Sequence, residues 1–383
     1  MTAVATFRRA LLGATSLAAM GLATPALAET AAAPVRALDI AAATPAGGPD
    51  FVEDVTAIVI NEAYNNNAFG PGGALDSGIT GVGQMVTRPN PTTFGVGLCT
   101  GTLINPRTVI FAAHCVNTIP AAGYGSASGG RPISFGFQAD NLNAVRTWLG
   151  IFNPADLYKT NTAQALYNVE NVWYDPRSLA LGPANNFLQA DVAIATLDTP
   201  AFDIPTWTLL FSPLTGEVPV TITGYGGSST NPNLGANQAI DFRRRIAENV
   251  LSFAGSLNDR NLVLFGTTAG LPQTLYSLDF DSPDGTTDFE AGTPGFDYDF
   301  DLFDGPARPR EGTTAGGDSG GPLIVESSVF GKPTVAGVLS GSARFRALAS
   351  GRLALSSALA LATSSLVRYR MKIGLPRNMA VMA

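Results

Sequence analysis

The sequence predicts an all-β protein, and two observations carry that expectation. Short apolar runs such as "TAIVI", "RTVIFAAH", "DVAIATL", "VPVTITGYGG", "NLVLFG", "GPLIV" and "PTVAGVLSG" recur from about residue 51 to 340, each bounded by turn residues. Glycine (42) and proline (26) are abundant, which favours many turns and short strands over long helices. With 383 residues and a hydrophobic share of 45%, the chain can bury a sizeable core. A net charge of −7 argues against nucleic-acid binding, which requires a basic stripe.

Taken in order, the chain opens with Arg8 and Arg9, an uncharged Ala/Leu run and the small-residue site Ala26-Leu27-Ala28. That is the layout of a secretory signal over 1–28, so the mature protein is expected to be secreted or periplasmic, with no stable membrane insertion once the signal is removed. Residues 29–50 are rich in Ala, Pro and Gly and read as a flexible leader. The strand-like body follows over 51–345. Residues 279–304 concentrate Asp with Phe and Tyr. Clustered oxygen ligands suit Ca²⁺, but the EF-hand spacing is missing, so the stretch reads as a solvated acidic insertion and no metal is expected. The tail, 346–383, lacks acidic residues, and its uncharged run at 353–367 reads as a packed or frayed helix.

Two stretches carry chemistry. "GTLINPRTVIFAAHCV" holds His114, the single histidine of the chain, beside Cys115, one of two cysteines. "TTAGGDSGGPLIV" encloses Ser319 between Gly316, Gly317, Gly320 and Gly321. A nucleophilic serine needs an exposed hydroxyl on a sharp turn, with backbone N–H groups aimed at a developing oxyanion. "GDSGG" also satisfies the nucleophile elbow of α/β-hydrolases, but that fold requires its histidine after the serine, and here the only histidine precedes it. One His and two Cys could supply three zinc ligands, unless the cysteines pair.

Gly317-Asp318-Ser319-Gly320-Gly321-Pro322 and Ala112-Ala113-His114-Cys115 together resemble the trypsin/chymotrypsin-like serine peptidases. "ADVAIATL", with Asp191 opening an apolar run, is similar to that family's third motif, and the resemblance covers roughly residues 80–340. It implies two packed six-stranded antiparallel β-barrels with long loop insertions, their junction near 195–215. It implies His114, Asp191 and Ser319 as the catalytic residues, the amides of Gly317 and Ser319 as the oxyanion hole, and a Cys99–Cys115 disulfide. No cofactor is implied, and the partners would be protein or peptide substrates. Closing that loop of about 16 residues would stabilise the fold by roughly 3 kcal/mol. The order His, Asp, Ser is that of the chymotrypsin-type triad.

The same resemblance places the specificity pocket at Thr313, Thr314, Ser340, Gly341 and Ser342. With no carboxylate at Thr313, small or medium uncharged side chains are expected before the scissile bond. Members of the family pair a newly cut "IVGG"-type amino terminus with the acid before the serine, here Asp318. The run "AIVINEA" at 57–63 has no basic residue in front and matches poorly, so signal removal alone, or another partner for Asp318, is expected. The leading expectation is a secreted serine endopeptidase. The alternative is a catalytically silent homologue acting as a binding or surface-interaction module.

Overall fold

A computed structural model describes residues 58–60, 65–69, 73–75, 78–89, 95–178, 190–229, 240–256, 274–280, 305–346 and 353–362. The signal, the leader, the run "NLVLFG" and nearly all of the acidic stretch lie outside the described residues. Among the described residues the protein is mostly β, as the apolar runs predict. No helix among them is long and apolar enough to cross a membrane.

Three short strands come first: β1 (Ile58–Ile60), β2 (Asn65–Phe69) and β3 (Gly73–Leu75). A closed antiparallel barrel follows, built from β4 (Val82–Thr87), β5 (Gly97–Asn105), β6 (Thr108–Phe111), β7 (Ile133–Gly136), β8 (Leu166–Tyr174) and β9 (Ala193–Leu197). Around the barrel the order is β4-β5-β6-β9-β8-β7. The turn from β5 to β6 uses Asn105, whose side chain accepts the Arg107 N–H at 2.9 Å, a local substitute for a backbone bond.

Alternate residues fill the barrel: Val109 and Phe111, Ile133 and Phe135, Tyr167 and Val169, Ala193 and Ala195 share one core. This is the period of two that a strand imposes. Phe111 meets Phe135 edge to face with ring centroids 5.5 Å apart. The opposite face of the same strands is also covered. Ile110, Ala112 and Val192 pack against Leu275 and Val338 of the second half. A helix, α1 (Leu142–Trp148), closes another flank by laying Ala144, Val145 and Trp148 on Val86 and Leu166.

The second half contains β10 (Pro219–Gly224), β11 (Ser228–Ser229), β12 (Arg245–Val250), β13 (Phe253–Ser256), β14 (Thr274–Asp279), β15 (Gly312–Thr313), β16 (Pro322–Val325), β17 (Thr334–Arg346) and β18 (Leu353–Ala362). Nine strands form one sheet in the order β13-β14-β18-β17-β16-β10-β12-β3-β2, while β11, β1 and β15 form a small separate sheet. Val220, Ile222, Ala247, Leu323, Val325 and Leu339 make its core.

One expectation is corrected. The tail segment read as a helix is β18, antiparallel to both β17 and β14. Leucines at 353, 355, 359 and 361 recur every second residue or a multiple of it, which suits a strand, and β17 offers a partner one short connection away. The sheet therefore extends past residue 345, where the sequence suggested the body would end.

Candidate active site

The site lies at the seam between the barrel and the second half. His114 sits in a 3₁₀ turn, Ala113–Cys115, directly after β6. The turn is stapled to β5 by the Cys99–Cys115 disulfide. Both sulfurs and a ring nitrogen of His114 fall within 4.8 Å of one another, but disulfide sulfurs are not thiolates and do not bind zinc as such.

Asp191 enters from the loop before β9. Ala190 holds a left-handed backbone (φ 52°), and its carbonyl accepts the Val192 N–H at 2.7 Å, so the chain makes a tight reversal with Asp191 at its apex. The Asp191 side chain is buried and its carboxylate collects three donors. The His114 backbone N–H reaches Oδ1 at 2.6 Å, the His114 ring Nδ1 lies 2.7 Å from Oδ2, and the Ser340 hydroxyl also donates to Oδ2. A carboxylate only accepts, so Nδ1 carries the ring proton and Nε2 presents its lone pair. The imidazole itself remains about one third exposed.

Ser340, one of the residues expected at the specificity pocket, donates its hydroxyl to Asp191. It is the extra residue where the register of β17 against β18 shifts between Leu339 and Gly341. Such bulges redirect a side chain, and here the redirected hydroxyl meets Asp191. Gly341 is half-buried beside it, and the side chain of Ser342 lies outside the described residues.

Ser319 is half-buried on the loop between β15 and β16. Its loop is fixed to the barrel by Thr100, which follows Cys99 on β5. The Thr100 N–H donates to the Ser319 carbonyl at 2.7 Å, and its hydroxyl donates to the Gly317 carbonyl at 2.8 Å. Cys115 Sγ comes within 3.9 Å of that same Ser319 oxygen. Gly320 has φ +85°, and a Cβ there would lie 2.2 Å from the Thr100 carbonyl and 2.8 Å from the Ala112 nitrogen, so only glycine allows this approach. Thr100 was not foreseen from the sequence. Its signal is a small hydroxyl residue adjoining a strand cysteine, hence on the face opposite the barrel interior.

The loop amides divide into two sets. Those of Asp318, Gly320 and Gly321 donate to the carbonyls of Ala315, Leu339 and Asp318. Among the described residues, those of Gly317 and Ser319 have no acceptor, and these are the two expected to face an oxyanion.

Asp318 points away into the second half. Its Oδ1 accepts from the Gly226 N–H at 2.7 Å and its Oδ2 from the Ala315 N–H at 3.0 Å. Complete burial pushes its carboxyl up to about 7, against the pull of these two amides and of the Arg245 charge. Arg245 is itself buried and paired with Asp241 at 2.8 and 2.7 Å. Burial alone would raise Asp241, yet Arg245 and Arg243 together hold it below the ordinary carboxylate range. Thr313 and Thr314 are buried at the start of the same loop.

No protein-family model and no curated protein matches this sequence.

Proposed function

We propose that the protein is a serine endopeptidase that cleaves peptide bonds through His114, Asp191 and Ser319. The observation that supports it most is the Asp191 carboxylate, buried, triply hydrogen-bonded and aimed at the ring of the single histidine. In this reading the Ser319 Oγ attacks the carbonyl carbon of the scissile bond, and His114 Nε2 takes its proton. The tetrahedral oxygen receives the amides of Gly317 and Ser319, each such donor being worth about 3–4 kcal/mol in the transition state. The imidazolium, stabilised by Asp191, passes its proton to the departing amine as the C–N bond breaks. Water then attacks the acyl-enzyme by the same route in reverse and frees Ser319.

The strand order is compatible with the two-barrel architecture implied by the sequence resemblance. Only Leu251 and Ser252 separate β12 from β13. Counted as one bent strand, they make the path β13-β14-β18-β17-β16-β10-β12 return on itself with six members. In the same reading the enzyme is exported and prefers small or medium uncharged residues before the cut, because Thr313 and Thr314 supply no charge to pair with Arg or Lys.

The test is labelling of the folded protein with a fluorophosphonate probe, which reacts only with an activated serine. Labelling of the parent and none of Ser319→Ala or His114→Ala is the expected result. A folded parent that does not label sinks the peptidase reading in favour of a silent binding homologue.

A further inference from the structure

Asp318 is a buried acid one residue before the nucleophile, so whatever holds it also shapes the oxyanion loop. Its two amide donors come from different segments: Gly226 leads into β11, and Ala315 follows β15. Both segments are edges of the same small sheet, and its central strand is β1. Ile58 and Val59 pair in parallel with Ser228 and Ser229, while Val59 and Ile60 pair antiparallel with Thr313 and Gly312. A further backbone bond, Gly227 N–H to the Gly316 carbonyl at 3.1 Å, ties the two walls above it.

The charge around Asp318 is internal as well. Gly224 is opposite Arg245 on the neighbouring strand, and a Cβ at Gly224 would lie 2.2 Å from Asp318 Oδ1. The carboxylate thus rests against bare backbone across from a buried guanidinium.

We propose that β1, paired on both sides between β11 and β15, is the positioning strand of the Ser319 loop, so that the site is ordered without a newly cut amino terminus in front of Ile58. This rests on the peptidase reading. Backbone pairing through Val59 fixes the spacing of the walls, the walls present the Gly226 and Ala315 amides, and those two amides hold Asp318. The amides of Gly317 and Ser319 are then left without an acceptor among the described residues.

The deciding experiment uses the chain from residue 29 onward with a site for a sequence-specific protease inserted directly before Ile58. The fluorophosphonate labelling rate is measured before and after cutting, with intact mass confirming each state. We expect the two rates to agree within about twofold, since the pairing of β1 is the same in both. Val59→Pro, which removes the central amide of the strand, is expected to lower the rate at least tenfold; should it unfold, Val59→Gly takes its place. Labelling only after the cut, or a Val59 variant that labels at the parent rate, overturns the inference and leaves the peptidase reading standing. A folded protein that labels in neither state removes both.

Discussion

The barrel half and the sheet half hold their parts of the site by different physical means. His114 rests on a closed barrel whose interior is aromatic and aliphatic, with a covalent staple from Cys99 to Cys115. Ser319 rests on a loop organised by buried polar groups: Asp318, Arg245 with Asp241, and two backbone amides. Apolar packing and a disulfide are indifferent to pH, whereas a buried carboxylate is not. The scaffold under His114 is therefore set by packing, whereas the Ser319 loop is set by groups whose charge can change, and the His114 ring joins the second class through its contact with Asp191.

The difference is most easily broken at the seam, where both halves meet on Asp191. Asp191→Asn keeps the size of the side chain but reverses the hydrogen-bonding sense toward Nδ1, so it favours the wrong tautomer. A fall in kcat of about four orders of magnitude is expected, with thermal stability changed far less. Steady-state kinetics on a peptide ester and a melting curve check this. A fall of only a few-fold would mean that Asp191 orients nothing.

The next largest effect should be confined to the barrel. Phe111 is fully buried against Phe135, so Phe111→Ala is expected to cost about 3–5 kcal/mol in chemical denaturation. That cost should vary little with pH, because no titrating group is removed. A strongly pH-dependent cost would erase the distinction between the halves.

A third effect sharpens the comparison from the other side. The Asp318 carboxyl stands at about 7 in the folded protein against an ordinary 3.8, so the fold holds its proton more tightly than the open chain does. Its contribution to stability is complete below about pH 4 and is lost as pH rises toward about 7. Urea midpoints followed between about pH 4 and about pH 8 should show this loss in the parent, and Asp318→Asn should flatten it. Asp241 works in the opposite sense: held low by Arg245 and Arg243, it stabilises above the ordinary carboxylate value and ceases to do so in acid.

The Cys99–Cys115 disulfide and the meeting of His114 with Asp191 were legible in the sequence because each lies in a short motif with fixed immediate neighbours. The barrel strands were legible because Val109 and Phe111, or Ile133 and Phe135, repeat at the strand period within a few residues. What escaped depended on distant pairing. The uncharged Leu/Ala/Ser run at 353–362 fits a helix or a strand, and the choice is made by β14 and β17. Ser340 fits a pocket wall by position, and only the register shift beside it directs the hydroxyl to Asp191. "AIVINEA" matches the terminus motif poorly, yet three of its residues form a strand whose neighbours lie far along the chain.

Gly320 brings bare backbone of the sheet half against the Thr100 carbonyl and the Ala112 nitrogen of the barrel half. A single added carbon there would push the two halves apart, so the distance between the Ser319 loop and the turn that carries His114 is set by an atom that glycine does not have.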